Sequence, residues 1–312
     1  MDTSELTKEK RTERPEEIKA VPVRHPGRWI AAAIVLLFAA AAVRSIVTSQ
    51  GFQWHVVGHY LFDSRILHGV LATVYLTALC QGIGIVLGVV AAVMRLSPNP
   101  IVSGASWLYI WFFRGTPLLV QILFWYNIAA LFPTISLGIP FGPTFVHAHA
   151  NSIVTPLVTA MLGLGLNEGA YMSEIVRAGI ISVDEGQTLA AQSLGMSRLQ
   201  IMRRIVLPQA MRVIIPPTGN ETISMLKNTS LLIVASYGEL LFSAQSIYDV
   251  NYKVIPLLIV ASIWYLAMTS VLYVGQYFIE RRFGRGFTRA ERATMRARWL
   301  TFSHGEAAGP AA

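Results

Sequence analysis

The sequence predicts an all-α integral membrane protein with about six transmembrane helices. Apolar residues make up 54% of the 312 residues and charged residues only 13%, about half the charged share of a soluble domain. The mean hydropathy is +0.51, and a soluble protein of this composition would expose apolar patches that soluble monomers rarely show. The single cysteine, Cys80, excludes an internal disulfide framework and a metal site built on cysteines.

Six apolar stretches are long enough to cross a bilayer, which needs about 20 apolar residues in a helix. The third, fourth and fifth contain charged or polar residues, as is usual where a helix lines a path. The first follows a long segment with six acidic residues and lacks a cleavage site, which favours an uncleaved span over a signal peptide. The predicted spans are Trp29–Val47, Leu67–Leu96, Ala105–Phe132, Ile153–Ile181, Pro216–Leu241 and Val254–Ile279.

Basic residues are distributed unequally between the two sets of loops. Seven Lys or Arg lie in the first 28 residues, and seven Arg follow Ile279. The loop between spans four and five adds Arg198, Arg203, Arg204 and Arg212, whereas the opposite loops are almost free of basic residues. The positive-inside rule therefore places both termini in the cytoplasm, with an even number of spans.

The cytoplasmic loop between spans four and five is predicted to contain two short helices. Asp184 can cap a helix over residues 185–194, and Gly195 can end that helix in a left-handed turn. Ser197 can cap the next helix, which we expect Pro208 to break. Taken alone, this pattern also fits an amphipathic helix lying on lipid headgroups.

The same loop resembles the signature of ABC-importer membrane subunits. In that family the motif is Glu-Ala-Ala, three residues, Gly, nine residues and Ile-x-Leu-Pro. Here Ala190 and Ala191 precede Gly195, and nine residues separate Gly195 from Ile205, which begins the Ile-x-Leu-Pro segment. The flanking blocks resemble the permeases for polar amino acids (histidine, glutamine, glutamate, arginine and opines), over about residues 65–280. These blocks are FRGTPLLVQ (113–121), Ala170-Tyr171, EIVRAGI (174–180), Gly186-Gln187, LPQA (207–210) and LKNTSL (226–231).

The resemblance implies a type I importer permease fold in the bacterial inner membrane, with a cytoplasmic coupling helix. The implied partners are two P-loop ATPases docked on the loop, a second permease subunit (identical or different) and an external solute-binding protein. The implied substrate is a polar amino acid or a related compound. The chain contains no GxxxxGK[ST] stretch, so ATP and magnesium would be bound by the partner ATPase, and we expect no cofactor in this chain and no enzymatic activity. The implied coupling residues are Glu185, Gly186, Gln187, Leu189, Ala190, Ala191, Gly195, Leu207 and Pro208.

One residue departs from the family motif. Leu189 stands where the motif has glutamate, which removes an acidic group from the surface expected to face the ATPase. The predicted organisation has four parts. They are a mixed-charge tail (1–28), an extra first span and outer loop (29–64), the permease domain (65–280, with the coupling loop at 182–208) and an Arg-rich tail (281–312) expected to bind lipid headgroups.

Polar groups inside the spans are the candidates for a substrate path, because a charge in mid-membrane needs a partner or a cavity. Glu168 is the first candidate, since no basic residue lies within one helical turn of it. Glu174 can pair with Arg177 at i,i+3. The predicted path residues are Glu168, Glu174, Gln121, Asn220 and Glu221. The predicted structural residues are Arg114, expected near the cytoplasmic surface, Pro117, expected to kink span three, Arg177 and Lys227.

The sequence is less consistent with three alternatives: an ion-coupled transporter, a metal site and a nucleic-acid partner. An ion-coupled secondary transporter would use Glu168, Glu174 or Glu221 as its carboxylates, but the inverted repeats common in such proteins are not visible. A metal site is not expected, because the pairs His55/His59 and His147/His149 lack a third ligand. A nucleic-acid partner is not expected either, because the basic residues follow the membrane pattern.

Overall fold

The computed structural model describes residues 26–138 and 144–283. Most of the mixed-charge tail and of the Arg-rich tail, and residues 139–143, lie outside the described residues. The chain divides between Phe52 and Gln53 into two compact units. The helices are α1 (Pro26–Thr48), α2 (Trp54–Tyr60), α3 (Ser64–Arg95), α4 (Pro100–Gly115), α5 (Leu118–Tyr126), α6 (Ile128–Leu131), α7 (Ala150–Ile153), α8 (Pro156–Ala160), α9 (Leu166–Ile181), α10 (Glu185–Ser193), α11 (Arg198–Ile201), α12 (Leu207–Asn228), α13 (Leu240–Asn251) and α14 (Val254–Phe283).

Shorter helical turns connect several of these helices. Gln50–Phe52 and Thr229–Ala235 are 3₁₀ turns, and Met161–Gly165 and Met202–Val206 are wider π-helical turns. The two π turns join α8 to α9 and α11 to α12, so each pair forms one continuous helix. The described residues are thus predominantly helical, as the sequence predicts.

Within residues 26–138 and 144–283, three helices are long and apolar enough to cross a membrane on their own: α1 (from Gly27), α3 and α14. The number rises to five if each of two bent pairs counts as one span. One pair is α4 with α5, bent by 101°, and the other is the helix Arg198–Ala235 with α13, bent by 43°. The predicted fourth span corresponds to α8–α9, which carries Glu168, Glu174 and Arg177 and is not among these candidates.

Helices α3 and α9 form the most extensive contact in the second unit, and glycines allow it. A Cβ on Gly84 would overlap the Glu168 side chain, and a Cβ on Gly88 would overlap Met172. From the other helix, Gly165 faces Ile83, and Gly169 faces Leu87. The GxxxG pairs Gly84/Gly88 and Gly165/Gly169 therefore meet at one close helix crossing.

Buried apolar clusters follow α3 along its length. Ile66 packs with Leu240 and Leu257 near the first turn of α3, and Leu76 packs with Ile122 in the middle. The third cluster lies near the last turn of α3 and contains Ala92, Met172, Val176, Ala210 and Ile214. Because α3 contributes to all three, it acts as the central support for α9, α12, α13 and α14.

Acidic side chains cap α3 and α13 in this unit. Asp63 accepts a hydrogen bond from the Arg65 backbone N–H at 2.9 Å, and the side-chain hydrogen bond from Arg65 lowers the pKa of Asp63. Glu239 is fully buried and accepts from the N–H groups of Leu241 and Phe242 and from Tyr265 Oη at 2.9, 2.7 and 2.6 Å. The bonds from Leu241 and Phe242 give hydrogen-bond acceptors to N–H groups of the first turn of α13 that would otherwise be unpaired inside the bundle.

The segment between α6 and α7 contains a short β-hairpin. Strands β1 (Thr134–Gly138) and β2 (Thr144–His149) form an antiparallel hairpin, with Thr134 opposite His149 and a register shift after Leu137. The alternating residues of Thr-Ile-Ser-Leu and Thr-Phe-Val-His are compatible with short strands. The prolines and glycine at 140, 142 and 143 fall among the connecting residues, outside the described part.

Candidate transport cavity and coupling loop

The third predicted span is broken into two helices, α4 and α5. Thr116 and Pro117 have extended backbones (ψ 144° and 133°) between α4 and α5. Proline has no N–H to donate and disfavours a helical conformation of the residue before it. We expected a kink at Pro117. The structure instead has a complete break with a 101° change of direction.

Two amide side chains compensate the backbone groups that the break leaves unpaired. Gln121 Nε2 donates to the carbonyl oxygens of Phe113 and Thr116 at 2.9 and 3.1 Å. Asn167 Nδ2, from the first turn of α9, donates to the same Phe113 oxygen at 2.9 Å and to Gln121 Oε1 at 3.2 Å. Carbonyl groups inside a membrane need such hydrogen-bond partners. The amides of Gln121 and Asn167, here called the clamp, therefore attach the break to α9.

A cavity of about 600 Å³ lies beside this break. Three charged side chains line it: Arg114 at the end of α4, Glu168 in the first turn of α9 and Glu221 in α12. Their formal charges sum to −1, which favours a ligand carrying more positive than negative charge. The complete lining is Arg114, Gly115, Thr116, Pro117, Leu118, Asn167, Glu168, Tyr171, Glu221, Ser224, Asn228 and Leu231.

Glu168 is the most buried of the three charged residues, with 5% of its surface exposed. Gln81 Nε2 donates to Glu168 Oε1 at 3.1 Å, and the side chain lies against Gly84, so the carboxylate is held from α3. Glu221 is half-buried. Burial of both carboxylates is costly unless a cation or polar groups are close.

Arg114 is exposed at the level of the middle of α3, and not near the end of the bundle where we expected it. Ser106 Oγ donates to the Ala91 carbonyl at 2.7 Å, and Tyr109 packs against Gly169 beside Leu87, so α4 runs antiparallel to α3. The end of α4 therefore reaches the middle of α3, about 20 Å from Pro100 at 1.5 Å per residue. The guanidinium carbon lies 5.1 Å from the centre of the Tyr171 ring, a cation–π contact.

The other predicted path residues lie outside the cavity lining. Gln121 is buried and engaged in the clamp, and Asn220 is exposed. Glu174 forms an ion pair of 2.6 Å with Arg177, the pairing that their spacing suggested. Lys227, predicted to be structural, is exposed. Whether a polar residue of a span lines the cavity depends on the direction that its side chain takes around the helix axis. The presence of polar residues in a span does not give that direction.

Four polar residues of α9 and α12 line the cavity but were not predicted as path residues: Asn167, Tyr171, Ser224 and Asn228. Helical spacing was an available signal. Asn167 and Tyr171 are i,i+4, and Ser224 and Asn228 follow Glu221 at i+3 and i+7. Residues at these spacings share one face of a helix. Ser224 and Asn228 could therefore be predicted from their position on the same helix face as Glu221.

The coupling loop has the caps that the sequence predicts. Asp184 Oδ1 accepts from the Gly186 N–H at 2.8 Å at the start of α10. Gly195 has a positive φ of 76°, and the N–H groups of Gly195 and Met196 bond to the carbonyls of Gln192 and Ala191. These two hydrogen bonds together form a Schellman motif. Ser197 and Gln200 form a capping box at the start of α11.

Pro208 does not break the following helix, contrary to our expectation. The π turn Met202–Val206 shifts the hydrogen bonding, so that the Leu207 N–H bonds to the Met202 carbonyl. Pro208 then stands in the first turn of α12, where its missing N–H costs little. The coupling loop is therefore joined to α12 by continuous helix.

Most predicted coupling residues are on the surface. Glu185, Gly186, Gln187, Leu189, Ala190 and Gly195 are exposed, and so are Leu207 and Pro208. Ala191 is the exception, because it is buried against Ile201 and Val206 and anchors α10. Three leucines of the loop are prominent: Leu189, Leu194 and Leu199 are 56%, 82% and 66% exposed. Such a group of apolar side chains on a polar loop is typical of a surface that binds another protein.

One helix connects the cavity with the loop. Asn167 and Glu168 lie in the first turn of α9, and α9 ends at Ile181, just before α10 begins at Glu185. Helix α9 is therefore the direct covalent connection between the cavity and the coupling loop.

Comparison with protein-family models matches residues 84–285 to the family described as "Binding-protein-dependent transport system inner membrane component". This chain belongs to that family. The matched segment includes the broken helix, the cavity residues and the whole coupling loop. The predicted permease is thereby confirmed. The secondary-transporter alternative is not favoured, and the chain is a multi-pass transport subunit rather than an enzyme.

Relatives of this permease cover most of its length. The "Arginine transport system permease protein ArgU" of Corynebacterium glutamicum is 47% identical over 291 residues, which are 93% of this chain and 89% of that protein. The "Glutamine transport system permease protein GlnP" of Escherichia coli is 30% identical over 231 residues, 74% of this chain and 97% of that protein. The first match also includes residues before the family segment.

Solved structures support the same permease fold. One described as an "amino acid ABC transporter with histidines" is 35% identical, with a TM-score of 0.59, and the match covers 71% of this chain and 95% of that chain. The methionine ABC transporter MetNI shares the fold at 15% identity and a TM-score of 0.54, over 71% of this chain and 97% of that chain. The predicted type I importer permease fold is confirmed.

Proposed function

We propose that this permease imports a polar amino acid with a net positive charge, such as a basic amino acid, across the bacterial inner membrane. The observation that carries the proposal is the composition of the cavity: one guanidinium and two carboxylates around about 600 Å³. This volume is in the range of small-molecule sites. The 47% identical relative named as an arginine permease supports the same substrate class.

The cavity offers a partner for each charge of such a substrate. Arg114 can bind the α-carboxylate with two parallel hydrogen bonds, since guanidinium and carboxylate geometries match. Glu168 and Glu221 can then accept hydrogen bonds from the α-ammonium group and from a cationic side chain. The clamp of Gln121 and Asn167 holds the end of α4, and hence Arg114, in place.

The coupling loop supports the proposed partners. Each of the two P-loop ATPases would dock on one coupling loop, on α10 and the exposed leucines Leu189 and Leu194. A leucine at position 189 makes this surface more apolar than a glutamate would. A second permease subunit and an external solute-binding protein would complete the importer, and ATP and magnesium would be held by the ATPases.

Copurification tests the ATPase partnership. We expect the tagged chain, purified from its own membranes in mild detergent, to bring down a stoichiometric P-loop ATPase. Leu194→Asp should greatly reduce this copurification, because it places a charge on the apolar docking surface. The matched control is Val250→Asp, since Val250 is 79% exposed but lies at the end of α13, away from the loop. A chain that purifies alone, with pH-dependent uptake that ignores ATP, would overturn the proposal.

Substitution of Glu168 tests the substrate path. Glu168→Gln keeps the shape of the side chain and removes its charge, so the complex should still assemble. Loss of a hydrogen bond to a charged group costs about 1.5–3 kcal/mol, which corresponds to about a tenfold to hundredfold loss of uptake efficiency. Radiolabelled arginine uptake into proteoliposomes, with ATPase copurification alongside, would measure both effects.

Glu174→Gln is the matched control for this experiment, since Glu174 lies on the same helix but outside the cavity lining. It should reduce uptake much less. Equal losses in the two variants would contradict the path role of Glu168, and loss of assembly in Glu168→Gln alone would assign Glu168 to the structural core.

A further inference from the structure

An apolar cleft of about 510 Å³ lies on the second unit, separate from the transport cavity. It is formed by α3, α9, α12 and the end of α14, and its only polar side chains are two threonines. Nothing in the proposed transport path uses this cleft. Its lining residues are Ile85, Val89, Val93, Met172, Val176, Ile180, Met202, Leu207, Met211, Ile214, Ile215, Thr218, Gly219, Thr222 and Ile279.

The cleft extends to the end of the bundle that carries the coupling loop. Val93 and Ile180 stand in the last turns of α3 and α9, and Leu207 begins α12. Ile279 lies in the last two turns of α14. This end is predicted to face the cytoplasm, so the mouth of the cleft would lie at the level of the cytoplasmic lipid headgroups.

Basic residues surround this mouth. Met202 lines the cleft, and the next two residues, Arg203 and Arg204, line a second cavity of about 380 Å³ with Leu199 and Gln200. Within residues 26–138 and 144–283, neither arginine has an ion-pair partner. The π turn Met202–Val206 therefore contributes to both cavities, with Met202 in the apolar cleft and with Arg203 and Arg204 in the second cavity.

Further charges lie close to the same place. Arg212 follows the cleft residue Met211, and Arg281 and Arg282 follow Ile279 by two and three positions. The acidic residue at this mouth is Glu280, which accepts a hydrogen bond from Gln276 Nε2 at 2.8 Å. These five arginines thus lie within three positions of cleft residues at this end of the bundle, and they favour an anionic ligand.

We propose that the cleft and the two-arginine cavity together bind one anionic phospholipid. An acyl chain fills the apolar cleft, and the phosphate lies between Arg203 and Arg204. The complementarity is specific to such an amphiphile, because basic pockets between transmembrane helices at the cytoplasmic face suit anionic headgroups. The lipid would then stabilise the turn that joins the coupling loop to α12.

Lipid retention during purification tests this proposal. The importer complex would be washed in detergent, exchanged into nanodiscs of phosphatidylcholine with or without phosphatidylglycerol, and examined by native mass spectrometry. We expect the wild type to retain phosphatidylglycerol over phosphatidylcholine by about tenfold or more, since each arginine near an anionic headgroup contributes to binding. Equal retention of the two lipids by the wild type would overturn the proposal without any variant.

Two variants locate the site. The double substitution Arg203→Gln and Arg204→Gln should abolish the preference for phosphatidylglycerol. Arg198→Gln is the matched control, because Arg198 lies on α11 but lines neither cavity, and it should keep the preference. Unchanged preference in the double variant would overturn the assignment to these arginines.

Two further outcomes identify a different occupant. If inorganic phosphate raised the thermal stability of the wild type as much as phosphatidylglycerol does, the pocket would be a free-anion site and not a lipid site. If cysteines placed at Val89 and Ile215 formed cross-links between two copies of the chain, the cleft would be a protein interface. Either result would overturn the lipid proposal.

Discussion

Replacing Gly195 with valine is expected to abolish transport while the chain still inserts into the membrane. Gly195 adopts a positive φ of 76° and closes the Schellman motif that ends α10. An L-residue in this left-handed conformation costs about 1–2 kcal/mol, and a β-branched side chain costs more. The coupling helix should lose its fixed end, and with it the ability to transmit motion. Uptake into proteoliposomes, with membrane content measured by immunoblot, would record the loss.

A second variant separates the effect of the backbone conformation at Gly195 from the effect of added side-chain volume. Apart from its two chain neighbours, no atom of the described residues lies within 4 Å of the position that a Cβ on Gly195 would take, so a side chain there meets no clash within this part of the chain. Gly195→Asn should therefore keep much of the transport, because asparagine tolerates the left-handed region better than other residues. Normal uptake by Gly195→Val would refute the coupling role of this turn. Equal loss in both variants would indicate that the exposed surface, and not the backbone, is what matters.

Replacing Gly88 with leucine should prevent the permease from folding into a stable bundle. A Cβ at this position would overlap Met172 Cβ and lie 2.9 Å from the Met172 carbonyl carbon. Backbone atoms of α9 cannot move aside as the end of a side chain can, so α3 and α9 would have to separate along their whole contact. Overpacking of a core typically costs about 1–3 kcal/mol when side chains can adjust, and here the cost should be larger.

Gly82→Leu provides the comparison, since Gly82 lies on the same helix and nothing lies within 4 Å of its potential Cβ. Fluorescence-detected size-exclusion chromatography with a heating series would compare the two. We expect a normal peak and melting temperature for Gly82→Leu, and an aggregated or missing peak for Gly88→Leu. A stable monodisperse Gly88→Leu protein would show that the α3–α9 crossing is looser than described.

The coupling loop is the part of the structure that the sequence predicted best. Asp184, Gly195 and Ser197 each act on backbone groups within a few residues, so local rules were enough to place both helix boundaries. Pro208 was misjudged for the opposite reason. A π turn removes the conflict between proline and the helix, and the sequence gives no clear sign of such a turn.

The transport cavity was predicted only in part. Glu168 and Glu221 were identified because a buried carboxylate is costly enough to stand out in a span. Arg114 and Gln121 were assigned the wrong surroundings, because their positions depend on the 101° change of direction at Thr116 and Pro117. Proline marks the place of such a break, but its angle is set by packing with distant helices. The clamp by Asn167 could not be read from local sequence, since its partners lie 46 and 54 residues away.

The connection of the cavity to the loop through one helix has a mechanical consequence. Helix α9 has 16 residues and is therefore about 24 Å long. A tilt of about 10° about the α10 end would move its first turn by about 4 Å, further than a hydrogen bond can stretch. A small rotation at the ATPase side would thus be enough to pull Glu168 and Asn167 away from α4. If α9 moves as a rigid body, a modest angular movement at its α10 end would be enough to break the hydrogen bonds of Asn167 to Phe113 and Gln121.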